Sequence, residues 1–168
     1  VVYPRIILAE WNTHRVFSRN SASSRAIPVK KVIERVMTDP YIPSSWGKNQ
    51  KGMQSVEEIL GEDALACERS WLRARDYAVQ EAQMQMEIGV HKQLANRLLE
   101  PFMWHTVVNS STEWDNFYGL RDDLMAHPDI QKVAGLMREL HRSSEPKLLT
   151  GGEWHTPYAT GDEPPETR

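Results

Sequence analysis

The stretch SVEEILGEDALACERSWLRARDYAVQEAQMQMEIGVHKQLANRLLE, residues 55–100, decides the fold class. It contains two glycines and no proline, and its apolar residues recur at helical spacing. Ser55 and Glu58 form the pattern of a capping box, which predicts a helix start. Gly61 predicts a break between a short helix and a long one, and Pro101 is expected to end the long one. This long helical stretch predicts a mostly helical chain.

Two more helices are predicted on the C-terminal side of this stretch. STEWDNFYGLRDDLMA (111–126) opens with Ser and Thr and then places apolar residues at helical spacing. HPDIQKVAGLMRELHRSS (127–144) has Pro128 at a first-turn position, where proline is favoured. The residues after them are irregular. We therefore expect one incomplete domain over residues 1–150, followed by an irregular tail or connector over 151–168.

The N-terminal side predicts a strand followed by a polar segment and a helix. VVYPRIILAEW (1–11) is β-branched and aromatic, with Pro4 near its start, as expected of an edge or first strand. Residues 12–27 are expected to form a polar loop or a short helix. PVKKVIERVMTD (28–39) predicts a helix, alone or leading into a strand. Because one strand is not stable by itself, it is expected to pair with a strand from a missing part or from another subunit.

The composition excludes several classes of protein. A net charge of −3 gives no general attraction to nucleic acid or to an anionic membrane. The single cysteine, Cys67, permits neither an intrachain disulfide nor a cysteine zinc site, and we expect it to be a half-buried helix thiol. No signal peptide and no membrane-length apolar run is visible, which favours a cytoplasmic protein. The absent initiator Met and the charged, Pro-rich end suggest part of a longer polypeptide.

The stretch EWNTHRVFSRNSASSRAIP, residues 10–28, concentrates hydrogen-bond donors. Arginine makes bidentate, permanently charged contacts to phosphate, and short hydroxyls with exposed backbone amides suit anions. The stretch therefore suits a phosphorylated small molecule. A solvated, capped turn with surface arginines explains the same composition, so both interpretations stay open at this point.

The common catalytic and cofactor motifs are absent from the sequence. The histidines are scattered without HExxH or His-x-His spacing, so we expect no metal site. There is no GxSxG nucleophile motif, and Cys67 has no recognisable histidine partner. There is neither a Walker loop nor a GxGxxG motif, which excludes the usual nucleotide-binding loops.

Three blocks in order resemble the flavin-dependent thymidylate synthases. The family signature R-H-R-x-x-S-x-N-E-x-S-x-R is similar to THRVFSRNSASSR, residues 13–25. The family's R-x-x-L-P is similar to RLLEP, residues 97–101. Its N-x-R-x-x-x-N-F-x-x-L-R, followed by A-Q-x-E-I, is similar to residues 110–130, which match at Asn116, Phe117, Leu120, Arg121, Ala126 and Ile130. The resemblance covers about residues 9–140 and implies the family's fold, α+β and mostly helical with a small antiparallel sheet element.

Several positions depart from the family pattern. Thr13 replaces the first arginine of the signature, and Ser21 replaces its glutamate. Glu10 replaces a glutamine that precedes the signature in the family. Ser110 and Thr112 replace the Asn-x-Arg pair, although Asn109 lies next to them. The family's ARVS-like and HxSPFEH-like segments are absent from these residues. These departures suggest a divergent branch of the kind found in phage genomes, in a partial or rearranged chain.

The resemblance implies an enzyme that converts dUMP to dTMP. FAD would be the cofactor, with NADPH as reductant and methylenetetrahydrofolate as carbon donor. Arg121 would be catalytic, stabilising the ionised pyrimidine ring. The resemblance assigns the remaining substrate contacts to Glu10, Ser21, Ser23, Ser24, Arg25 and Arg97. It assigns the cofactor contacts to Thr13, His14, Arg15, Asn109, Ser110, Thr112 and Asn116.

The resemblance also implies a homotetramer with active sites shared between subunits. It implies neither nucleic acid nor membrane partners, and a cytoplasmic location, which is the host cytoplasm for a phage protein. Three alternatives remain open. The chain could transfer a different one-carbon unit to a pyrimidine nucleotide, for example by hydroxymethylation. It could be a non-catalytic nucleotide-binding or oligomerisation module, or a helical domain whose motif matches arise by chance.

Overall fold

The computed structural model describes residues 1–52 and 54–155. The strands of the described part are β1 (Val2–Pro4), β2 (Ser18–Ser21) and β3 (Trp104–Ser110). Its α-helices are α1 (Leu8–Trp11), α2 (Val29–Thr38), α3 (Gly61–Ile88), α4 (Lys92–Ala95), α5 (Asp115–Arg121) and α6 (Pro128–Ser143). Short 3₁₀ turns cover Arg5–Ile7, Ser24–Ala26 and Asn96–Phe102. The predicted α+β class, mostly helical with a small antiparallel sheet, is confirmed.

The sheet has the order β1-β3-β2, and both pairings are antiparallel. Tyr3 of β1 lies opposite His105, and Ser21 of β2 lies opposite Val107. Along β3, His105 and Val107 are buried and Asn109 is partly buried, while the residues between them are exposed. This alternation is the period of two that turns every second side chain of a strand toward the core.

Three predictions about the strands are wrong. The first strand ends at Pro4, and the apolar residues after it form a 3₁₀ turn and α1. Residues 12–27 contain β2 rather than only a loop or helix, because their backbone groups pair with β3. The first strand needs no strand from elsewhere, since it pairs with β3 of the same chain.

The long helix begins at the predicted break, but it ends well before Pro101, so the predicted end is wrong. It starts at Gly61, and the capping box is wrong because the Ser55 hydroxyl donates to the carbonyl of Lys48 at 3.0 Å. It ends at Ile88, where Gly89 follows with φ 94°, a left-handed conformation that suits glycine. Pro101 lies in the later 3₁₀ turn. Cys67 is half-buried in this helix, as predicted.

The three other predicted helices are present. The α2 helix follows Pro28, α6 carries Pro128 in its first turn, and α5 is shorter than the predicted 111–126 at both ends. In the described part of the chain, no helix is both long enough and apolar enough to cross a membrane. The boundary expected at residue 150 stays a prediction, and most of the expected tail, residues 156–168, lies outside the described residues.

Two apolar clusters organise the interior. The first joins β1, α1 and β3 to α5 and α6, and its buried members are Tyr3, Ile7, Trp11, Phe17, Val107, Phe117, Tyr118, Ile130 and Ala134. The second packs α2 and α3 against the 3₁₀ turn that precedes β3, and it contains Val29, Val32, Val36, Val79, Ala82, Ala95, Leu99, Phe102 and Met103. The polar stretch 10–28 is therefore anchored in the first cluster by its two aromatic residues.

A buried carboxylate fastens the loop after α2 to the start of α6. Asp129 accepts hydrogen bonds from the hydroxyl of Tyr41 and, at 2.8 Å, from that of Ser44. The backbone carbonyl of Tyr41 also accepts a 2.8 Å bond from the indole N–H of Trp71, which ties the same loop to α3. Burial, together with the bond to Asp129, raises the pKa of Tyr41, so its hydroxyl stays protonated and can donate.

Tyr41→Phe is expected to lower the free energy of unfolding by about 1.5–3 kcal/mol, because it removes a hydrogen bond to a buried charge. Tyr77→Phe is the matched control, since that side chain is 67% exposed and its change should be near zero. Urea unfolding of both variants measures the difference. Equal midpoints for the two variants would contradict the role given to the Tyr41 hydroxyl.

Candidate active site

The end of α5 meets the polar segment that follows α1. The Nε of Arg121 donates to the Nε2 of His14 at 2.9 Å, and its Nη2 donates to the hydroxyl of Thr13 at 3.0 Å. The Thr13 hydroxyl itself donates to the backbone carbonyl of Glu10 at 2.6 Å. Three of the residues that sequence analysis assigned to the site, separated by more than a hundred positions, are thus brought into direct contact.

His14 is held neutral at this contact. It is 5% exposed, and its ring packs edge-on against Phe117 with the centroids 5.0 Å apart. Burial, followed by the charges of Arg121 and Arg19, lowers the pKa of His14 below its ordinary value. The ring is therefore neutral at neutral pH, and the N–H of Arg121 selects the tautomer in which Nε2 is the acceptor.

A second polar cluster forms around Glu100, in the 3₁₀ turn before β3. Its Oε1 accepts from the hydroxyl of Ser24 at 2.6 Å and forms ion pairs with Arg5 at 2.9 Å and Arg97 at 2.8 Å. The side chain of Arg5 is 9% exposed, and its Nη1 also lies 3.1 Å from the Nδ1 of His105. Two residues assigned to the substrate, Ser24 and Arg97, are therefore linked through a carboxylate.

This cluster borders a groove of about 510 Å³. The groove is lined by Arg5, Ile6, Leu8, Ala9, Asn12, Arg97, Glu100 and Pro101. Sequence analysis missed three of its polar members, Arg5, Asn12 and Glu100. Arg5 and Asn12 lie outside the family pattern, but Glu100 could have been found because it stands where that pattern has leucine.

Two other assigned residues carry buried polar atoms without a partner among the described residues. Both side-chain amide atoms of Asn109 are buried and unpaired, and this residue lies on the inward face of β3. One carboxylate oxygen of Glu10 is likewise buried and has no hydrogen-bond partner among the described residues. Buried polar groups are normally hydrogen-bonded, so such atoms are suited to accept a ligand or water.

The other assigned residues lie on the surface. Ser21 and Ser110 are exposed strand residues of β2 and β3, and Ser23 caps the short 3₁₀ turn by accepting the N–H of Arg25 at 3.4 Å. The remaining exposed members of the set are Arg15, Arg25, Thr112 and Asn116. Among the described residues, no side-chain hydrogen bond or ion pair joins these four to Arg121 or Glu100. In the described residues, no three His, Cys, Asp or Glu side chains converge as metal ligands.

The fold has solved relatives. A UMP/dUMP methylase, PolB, from Streptomyces cacaoi bound with 5-Br UMP is similar, with a TM-score of 0.66 and 22% identity over 83% of this chain. The same enzyme bound with 5-Br dUMP gives a TM-score of 0.61 and 18% identity over 83% of this chain. The chain spans 64% and 62% of the lengths of these two structures. At identities this low, the structural similarity establishes a shared fold and nothing more.

The fold thus places the chain in the same α+β class as these structures. A family sequence model described as Thymidylate synthase complementing protein matches residues 1–147. The chain belongs to this family, which confirms the resemblance found in the three sequence blocks. No curated protein matches the chain.

Proposed function

We propose that this chain is a flavin-dependent thymidylate synthase. It would convert dUMP to dTMP with FAD as cofactor, methylenetetrahydrofolate as carbon donor and NADPH as reductant. Membership of the family and the names of the solved relatives support a one-carbon transfer to a uridine nucleotide. The observation that carries the proposal is the contact of Arg121 with His14 and Thr13, because it unites the first and third sequence blocks.

The residues that the resemblance assigns to the cofactor fit a flavin. The unpaired, buried amide of Asn109 offers both a donor and an acceptor, as the polar edge of an isoalloxazine ring requires. Exposed side chains of the set, Arg15 and Asn116 among them, remain free to contact the rest of the cofactor. The proposal therefore places FAD against Thr13, His14, Arg15, Asn109, Ser110, Thr112 and Asn116. When bound, FAD would supply the reducing equivalents for making the methyl group.

Arg121 would act on the uracil ring. Two of its donors are already fixed by Thr13 and His14, so its position is set before a ligand arrives. The guanidinium has five N–H donors, and those that remain can bind a pyrimidine oxygen on which negative charge develops. Because neutral His14 accepts rather than donates, it orients this cation without repelling it.

The proposal gives the nucleotide's phosphate and sugar to Ser21, Ser23, Ser24, Arg25 and Arg97, with Glu10 near the base. It also includes a homotetramer with shared sites and a cytoplasmic location. Shared sites would give the exposed residues Arg25 and Asn116 partners that a single chain does not supply.

A second candidate is transfer of a different one-carbon unit to a pyrimidine nucleotide. The buried, unpaired carboxylate oxygen of Glu10 favours it, since this oxygen replaces a neutral amide of the family pattern.

The visible absorption spectrum of the purified protein tests the proposal. We expect flavin bands, present as purified or after adding FAD, that shift when dUMP is added. Incubation with all three substrates should then give a product whose mass equals dTMP. A product with the mass of hydroxymethyl-dUMP would select the second candidate. A protein that takes up neither FAD nor dUMP would contradict both candidates.

A further inference from the structure

Glu100 places a negative charge among the groups to which the proposed function gives the substrate's phosphate. Its carboxylate is held by Ser24 and by Arg97, and both residues belong to that assigned set. Arg97 also bonds to the second carboxylate oxygen of Glu100, at 3.1 Å. A hydroxyl and a guanidinium are the donors that bind phosphate. In this chain, an internal anion already uses them.

The surroundings of Glu100 keep this charge in place. Burial alone would raise the pKa of Glu100, but the bonds from Ser24, Arg5 and Arg97, together with the charge of Arg5, hold that pKa below its usual value. The Glu100 side chain is 21% exposed, whereas that of Arg97 is 52% exposed. The carboxylate therefore stays ionised at neutral pH, while the arginine faces the groove and is accessible to a ligand.

A phosphate that reaches Arg97 must therefore approach an ionised carboxylate. Two like charges a few ångströms apart repel each other strongly when both are partly shielded from water. The two positive charges of Arg5 and Arg97 exceed the negative charge of Glu100 by one, so the groove still attracts an anion. The attraction is weaker than two arginines without the carboxylate would produce.

We propose that Glu100 determines how tightly this site binds charged substrates. Its carboxylate acts as an internal competitor that occupies a donor which the phosphate of the nucleotide would otherwise bind. Arg97, which lines the groove, exchanges its bonds to Glu100 for bonds to the incoming phosphate, and the cost of that exchange lowers the phosphate's share of the binding affinity. The recognition of the nucleotide then depends more on its base and sugar. This proposal rests on the proposed function, since it takes the phosphate assignment from it.

Glu100→Gln tests the proposal, because it removes the charge and keeps an oxygen that can accept from Ser24. We expect the variant to bind dUMP and inorganic phosphate at least about tenfold more tightly, as removal of one nearby unit charge implies. Deoxyuridine, which has no phosphate, should bind equally to both proteins. Glu34→Gln, an exposed residue of α2, is the control with the same change in net charge and should alter no affinity.

Calorimetric titration of the full chain distinguishes the outcomes. Unchanged or weaker binding of dUMP by Glu100→Gln, with the wild type binding dUMP, would overturn the competitor role and leave the proposed function standing. Tighter binding of inorganic phosphate by Glu100→Gln, without any preference for dUMP over phosphate, would support the role of Glu100 and contradict the proposed function. Tighter binding of both ligands supports both.

Loss of the ion pair with buried Arg5 could unfold the single variant, so a second comparison keeps the test decisive. The double variant Arg5→Met/Glu100→Gln removes both charges of the buried pair. Because the double variant keeps the net charge that the wild type has at the groove and frees Arg97 from Glu100, it should bind inorganic phosphate more tightly than the wild type. Equal affinities in these two proteins would also overturn the proposal.

Discussion

Arg121→Ala is expected to lower kcat/KM for the methylation of dUMP by about 10²–10³-fold, as for the loss of one preorganised donor to a developing anion. The guanidinium is fixed by bonds of 2.9 Å to His14 and 3.0 Å to Thr13, so the lost group is one already in position. Arg121 is only half-buried and belongs to neither apolar cluster, so we expect the variant to fold. The measurement is product formation from dUMP in the flavin-loaded protein.

Two variants make the Arg121 result specific. Arg121→Lys keeps the charge but replaces the planar fork with a point charge, so it should recover only part of the activity. Arg35→Ala, at an exposed position of α2, removes an equal charge and should leave kcat/KM unchanged. Full activity in Arg121→Ala would remove Arg121 from the mechanism. An equal loss in Arg35→Ala would show that net charge, and not this contact, controls the rate.

The helical part of the fold could be predicted from sequence because its signals are local. Pro28 and Pro128 mark the starts of α2 and α6, and both helices form where these residues predict them. The end of the long helix was placed at Pro101, whereas the structure ends it at Gly89. A left-handed glycine terminates a helix as effectively as a proline, and this signal was present in the sequence.

The strands were harder to predict because their stability is not local. All four residues of β2 are exposed and polar, so this strand has no apolar periodicity and forms by pairing with β3. The β3 strand does alternate, with His105 and Val107 buried, and its β-branched run could have been recognised. Without β3, the first strand had no partner in the chain, which is why a partner from elsewhere was expected.

Residues of the site could be predicted from the sequence, but most of the contacts between their side chains could not. The family resemblance assigned Arg121 to the substrate and His14 to the cofactor, but only the fold shows that their side chains touch. Glu100 stands within RLLEP, where the family pattern has leucine, and it was assigned to no predicted site. Arg97 lies three residues before Glu100 in the same 3₁₀ turn, a spacing at which side chains meet. Ser24 and Arg5 come from two distant segments, and no spacing rule predicts their contact with Glu100.

Trp11→Ala is expected to lower the free energy of unfolding by about 3–5 kcal/mol, the usual cost of deleting a large buried aromatic ring. Trp11 is 0% exposed, and its ring stacks on Tyr3 with centroids 4.5 Å apart and meets Phe117 edge-on at 5.1 Å. These contacts join β1 and α5, the two elements that flank the candidate site. Chemical unfolding measures the loss, and Trp154→Ala, at a side chain that is 84% exposed, is the control.

The Trp11 variant also separates two ways of losing the site. The ring anchors the segment that carries Thr13 and His14, so its loss should weaken the binding of FAD and dUMP together with stability. Arg121→Ala should instead lose activity with a smaller loss of stability than Trp11→Ala, because it removes a hydrogen bond and not a buried ring. Because domains of this size have about 5–15 kcal/mol of stability, the Trp11 variant should stay largely folded below its lowered midpoint. A midpoint that does not move would mean that Trp11 does not anchor the segment, and that the contact between α5 and the polar stretch stands without it.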